Sequence, residues 1–172
     1  MSDAAPLART RPHGLAARLV ALIVFSVAMG WLEGVVVVYI RGVLGFSYGA
    51  AVPDPAEMVR RFITLPWLIP VEQTREAATI LMLAAVAWLA GWRLVSRFGA
   101  FLIAFGIWDI VYYITLWSLV RWPPSLGTVD VLFLLPPGPW WSQPVWVPVA
   151  ISGVMIVVGS FLFAGTDARR AG

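Results

Sequence analysis

The chain has 172 residues, 60% of them hydrophobic and 12% charged, with a mean hydropathy of +0.86, whereas soluble domains carry about 25% charged residues. All twelve basic side chains are Arg, and a net charge of +3 is too small and too scattered for a nucleic-acid-binding surface. Cys is absent and His13 is the only histidine, which excludes iron–sulfur clusters, thiolate nucleophiles, thiolate zinc and a bis-His haem within one chain.

The N-terminal tail carries Arg9, Arg11, His13 and Arg18 ahead of a first apolar run, residues 19–40. At helical rise that run spans roughly 33 Å, enough to cross a hydrocarbon core. It is too long for a cleaved signal peptide, although Ser26-Val27-Ala28 has the small-x-small form of a cleavage site. Within it Glu33 stands between Gly30 and Gly34, a small-xxx-small pair that suits close helix packing inside one chain. Arg41 closes the run.

Residues 42–71 are expected to form an outer loop. Arg60 and Arg61 precede a short apolar patch broken by Pro66 and Pro70, read as an interfacial or re-entrant piece because it cannot span. The second membrane helix is placed at residues 72–92. It opens with Glu72, Arg75 and Glu76, whose i, i+3, i+4 spacing puts them on one face. The short WRLVSRF turn then forces an antiparallel hairpin into the third helix, residues 98–120. Asp109 sits midway between Arg97 and Arg121, with Tyr112 and Tyr113 at i+3 and i+4 within expected hydrogen-bonding reach.

A second outer loop, residues 122–143, holds Asp130 and the run VDVLFLLPPGPWW. Trp140, Trp141 and Trp146 have the look of an interfacial aromatic belt. The fourth helix is placed at residues 144–164, with Pro144 and Pro148 in its first turns and Gly153 and Gly159 as close-packing positions. The expected fold is an all-α membrane protein. Four transmembrane helices form one antiparallel bundle over residues 1–172, with two short interfacial or re-entrant segments on the outer side. Seven Arg fall on the side of the termini and five on the other, so the positive-inside rule places both termini in the cytoplasm of a bacterial inner (plasma) membrane.

An acid at the centre of a membrane helix costs roughly 2.5–3.5 kcal/mol to insert, so Glu33 and Asp109 are expected to face the bundle interior with partners. The spacings predict one polar pocket in the outer half, built from Glu33, Arg41, Glu72, Arg75, Glu76, Asp109, Tyr112, Tyr113 and Asp130. Its oxygen-rich chemistry suits a hard cation such as Mg²⁺ or Ca²⁺. Alternatively, Arg41, Arg75 and the Arg60–Arg61 pair suit a phosphate or carboxylate, as in a lipid headgroup.

Three functions are compatible with this reading. The first is a small-ligand, ion or headgroup site, which would need an oligomer or partner for any transport. The second is an accessory subunit of a larger membrane complex, its charges serving architecture. The third is a carboxylate-dependent enzyme on a lipid-like substrate. The segment Glu72-x-x-Arg75-Glu76 is superficially similar to the paired-glutamate motif of CAAX-processing intramembrane proteases. Its glutamates are not adjacent, and the histidines of that motif have no counterpart here, so no family is assigned.

Overall fold

The computed structural model describes residues 14–46, 55–136 and 138–171; Arg9, Arg11 and His13 lie outside them. Among the described residues the chain is mostly helical. It runs α1 (Leu15–Val43), α2 (Pro55–Thr64), α3 (Leu68–Ala90) and α4 (Leu94–Val120), then β1 (Val129–Val131), β2 (Ser142–Pro144) and α5 (Trp146–Ala171). Three stretches are long and apolar enough to cross a membrane: α1, α4 and Trp146–Gly165 of α5. The chain is therefore a multi-pass membrane protein. Helix α3 has 23 residues but is not among the three, since its first turns carry Glu72, Arg75 and Glu76.

Every long helix differs at its ends from the sequence expectation. α1 starts four residues earlier and ends three later, and α3 and α4 each start four residues earlier. Apolar runs mark the part of a helix in lipid, whereas backbone hydrogen bonding continues into the polar flanks. Proline explains the larger differences. Pro55 is the first residue of α2 and Pro70 lies in the first turn of α3, where the missing N–H would have had no intrahelical acceptor. Pro70 thus begins a helix rather than breaking a re-entrant patch. The segment between α1 and α3 contains an amphipathic helix, α2.

The segment between α4 and α5 contains a small antiparallel hairpin, with Val129 opposite Pro144 and Val131 opposite Ser142. Leu132 N–H donates to Trp141 O at 3.0 Å and Val145 N–H to Thr128 O at 3.0 Å, extending the pairing at both ends. Pro144 is consequently in a strand, and α5 starts at Trp146. Trp140 and Trp146 are exposed. Trp141 turns inward, donating Nε1–H to Pro136 O at 2.7 Å and packing edge-on against Phe133.

Helix α4 is the centre of the packing, touching α5, α1 and α3. Small residues permit this. A Cβ on Gly30 would stand 2.6 Å from the Trp108 carbonyl oxygen, and one on Gly34 would stand 2.6 Å from Thr115 Cγ2, so α1 lies directly on α4. On the other side Gly99 and Gly159 bring α4 and α5 together, each Cβ position within 2.7 Å of the other's carbonyl. The Gly30–Gly34 pair therefore packs within the chain. Gly153 does not share that role, since nothing lies within 4 Å of its Cβ position.

The two ends of the bundle differ in chemistry. At one end Arg18 donates to the Ala90 carbonyl at 2.7 Å, satisfying a C-terminal carbonyl of α3, and its guanidinium lies over the rings of Trp92 and Phe163. Arg97 closes the same turn by donating to Gly91 O at 3.2 Å and stacking on Trp88. The hairpin and α2 occupy the opposite end, over the polar half of the bundle.

Candidate functional site

Helix α3 presents Glu72, Arg75 and Glu76 inward because three- and four-residue steps stay on one helical face. The Arg75 Nε donates to Glu72 Oε2 at 2.7 Å, and its Nη1 forms an ion pair with Glu33 of α1. Thr79, one turn further along α3, donates to the other oxygen of Glu33 at 3.3 Å. Arg75 therefore ties α3 to α1 through a buried carboxylate. Glu76 does not pair with Arg75. Its carboxylate accepts the backbone N–H of Leu134 at 2.9 and 3.0 Å and that of Leu135 at 3.1 Å. Gln73 donates to Leu134 O at 3.3 Å, so α3 holds the segment after β1 at two points.

Asp109 and the tyrosines depart from the sequence expectation. Asp109 accepts from Ser152 of α5 at 2.8 Å, whereas Tyr113 donates to Asp130 on the hairpin at 3.0 Å. The i+4 spacing brings Tyr113 to the same face as Asp109, yet its long side chain reaches past it to the hairpin. Asp130 also accepts the Val131 N–H at 2.9 Å. Burial pushes the Asp130 carboxyl up to about 7; the Tyr113 and Val131 hydrogen bonds and the Arg41 charge oppose the rise, and the Asp109 charge adds to it.

All nine residues singled out in the sequence line one cavity of about 190 Å³. Its walls come from α1, α3, α4 and the β1 segment, with Phe62 of α2 also lining it. Thr79 and Trp108 also line it, and Ser152 supports it from behind; none of the three was singled out in the sequence. Thr79 follows Glu72 and Glu76 at heptad-like spacing, a signal that was present. Nothing local marks Ser152, because its partner is 43 residues away.

Arg60 and Arg61 are not part of the cavity. Both bond Glu57 on the same helix, Arg60 at 2.8 Å and Arg61 at 2.8 Å. Arg61 also donates to Leu44 O at 2.9 Å and lies over the Phe46 ring, anchoring α2 to the end of α1. Glu57 is held below the usual carboxylate range by these two hydrogen bonds, that of Arg61 first. Among the described residues no three acidic or His side chains gather closely enough to hold a metal ion.

Arg41 differs from Arg75. It is only 8% exposed, yet among the described residues no carboxylate lies within ion-pairing distance of its guanidinium. Comparison with known families, curated proteins and solved structures finds no match for this chain.

Proposed function

We propose that the chain is a four-span inner-membrane protein whose outward-facing cavity binds a small ligand, ion or lipid headgroup. Helix α3 serves as the fourth span: at 23 residues it measures roughly 35 Å, and its charges face protein rather than lipid. Both termini lie in the cytoplasm, following the arginine distribution. The observation that carries the reading is the convergence of ionisable groups from three helices and a hairpin on one cavity. Ionisable residues at such positions are expensive, and function is their usual reason. At about 190 Å³ the cavity is smaller than the roughly 300–1,000 Å³ of ordinary small-molecule pockets. A headgroup-sized moiety suits it better than a large cofactor.

Native mass spectrometry of the purified chain tests this. A bound small molecule that survives gentle extraction and is lost in Glu33→Gln and Asp109→Asn variants of unchanged fold supports a ligand site. Absence of any bound species in wild type, after extraction into native lipid discs, counts against it.

A second reading, an accessory subunit of a larger complex, is favoured by one observation: each of the five cavity carboxylates already has a partner inside the chain. In that case the same substitutions release a co-purifying protein instead of a small molecule.

A further inference from the structure

The polar groups of the cavity are not equally engaged. Glu33 and Glu72 are held by Arg75, Glu76 by two backbone N–H groups, Asp109 by Ser152, and Asp130 by Tyr113 and Val131. The acceptor side is therefore largely satisfied from within. The donor side is not. The buried Arg41 guanidinium has no carboxylate partner among the described residues, and the Tyr112 hydroxyl makes no hydrogen bond there. The indole N–H of Trp108, a side chain 6% exposed on the cavity wall, is buried without an acceptor. Tyr112 lies within electrostatic reach of both Arg41 and Arg75. A buried donor lacking an acceptor costs about 1–3 kcal/mol, and more when charged. Arg41 and Tyr112 line the same space with no hydrogen-bond or ion-pair acceptor among the described residues, and an acceptor-rich guest would supply one.

We infer that the ligand enters this cavity through a negatively charged, acceptor-rich group, a carboxylate or a phosphate, seated on Arg41 with Tyr112 as a further donor. Guanidinium matches either oxyanion in a bidentate fork, which an ammonium does not. Val37, Ile40 and Phe62 border the same space and give an apolar wall for the part of the ligand next to the charge. This rests on the ligand-site reading above and names the chemistry that the site selects. A free anion and a lipid headgroup share that chemistry.

The test uses the full chain in phosphatidylcholine nanodiscs, with Trp fluorescence as the readout, since Trp108 and Trp122 both line the cavity. The probes are inorganic phosphate, decanoate, and discs doped with phosphatidylglycerol; decyltrimethylammonium is the cationic control. Saturable binding of at least one anionic probe is expected, weakened roughly tenfold or more in Arg41→Gln. Partial recovery is expected in Arg41→Lys and no change in Arg60→Gln. Phosphate or decanoate alone identifies a soluble anion, and phosphatidylglycerol alone identifies a headgroup. Tyr112→Phe, which removes only the hydroxyl, is expected to weaken binding severalfold, so a poorly folded Arg41→Gln does not leave the matter open. Saturable binding of the cationic control in place of the anions, unaffected by Arg41→Gln, overturns the choice of charge and leaves a ligand site standing. Binding by none of the probes overturns the anion assignment, and an empty wild-type chain in native lipid discs, as above, overturns the ligand site itself.

Discussion

Arg75 on α3 forms an ion pair with Glu33 on α1 while its Nε donates to Glu72 at 2.7 Å, so one guanidinium joins two helices and two buried carboxylates. Removing one partner of a buried pair leaves an uncompensated charge and costs about 3–5 kcal/mol. Arg75→Met is expected to lower thermal stability in detergent by that order. Adding Glu33→Gln to Arg75→Met should restore part of the loss, because the stranded carboxylate becomes neutral. A double-mutant cycle on unfolding midpoints measures this coupling. Strict additivity of the two substitutions would contradict the pairing.

The α1–α4 contact makes a steric prediction. A Cβ at Gly30 meets a backbone carbonyl at 2.6 Å, which cannot move aside as a flexible side chain can. Gly30→Val should destabilise by at least about 1–3 kcal/mol, the usual cost of overpacking. Gly153→Ala, with open space around it, should be near neutral. Unfolding monitored by near-ultraviolet circular dichroism separates the two.

Glu76 accepts the N–H groups of Leu134 and Leu135, and Glu76→Ala removes both acceptors. Each N–H left buried without a partner costs about 1–3 kcal/mol. Hydrogen exchange at Leu134 and Leu135 should accelerate, while exchange in the centre of α4 stays slow. Unchanged protection at the two leucines would show that α3 does not hold the hairpin segment.

Asp130 makes a pH prediction. Its carboxyl is pushed up to about 7, whereas an unfolded Asp titrates near about 3.9. The fold therefore favours the protonated form. The stability this group supplies is fully present below about pH 4 and is lost as pH rises toward 7. The groups that face it are Arg41 on α1 and Asp109, Tyr112 and Tyr113 on α4. The difference in unfolding midpoint between wild type and Asp130→Asn should shift in favour of the Asn variant as pH rises across that window. A difference independent of pH would contradict the burial of this carboxyl.

The long apolar helices were legible because lipid imposes length and composition on any segment that crosses it. The meeting of Glu33, Arg75 and Asp109 around one space was legible for a related reason: charges that costly have to face inward. The partners were not legible. Spacing reports neighbours on one helix, so it suggested Tyr113 for Asp109, while the observed partner is Ser152, on another helix. The same limit hid Glu76's role, since its partners are backbone groups of a distant loop. The hairpin was hidden because its strands are three residues each, too short for alternation to stand out. Pro55 and Pro70 were ambiguous, as proline marks both helix starts and helix breaks.

The proposed outward opening of the cavity is tested most directly by thiol accessibility, since the chain has no Cys of its own. Val37→Cys places a thiol on the cavity wall, whereas Leu32→Cys and Leu81→Cys place one on exposed apolar helix faces that lipid would cover. In right-side-out vesicles, a membrane-impermeant maleimide should label the first and spare the other two. Labelling all three alike, or sparing Val37→Cys while a permeant reagent reaches it, would contradict a water-filled opening on the outer side.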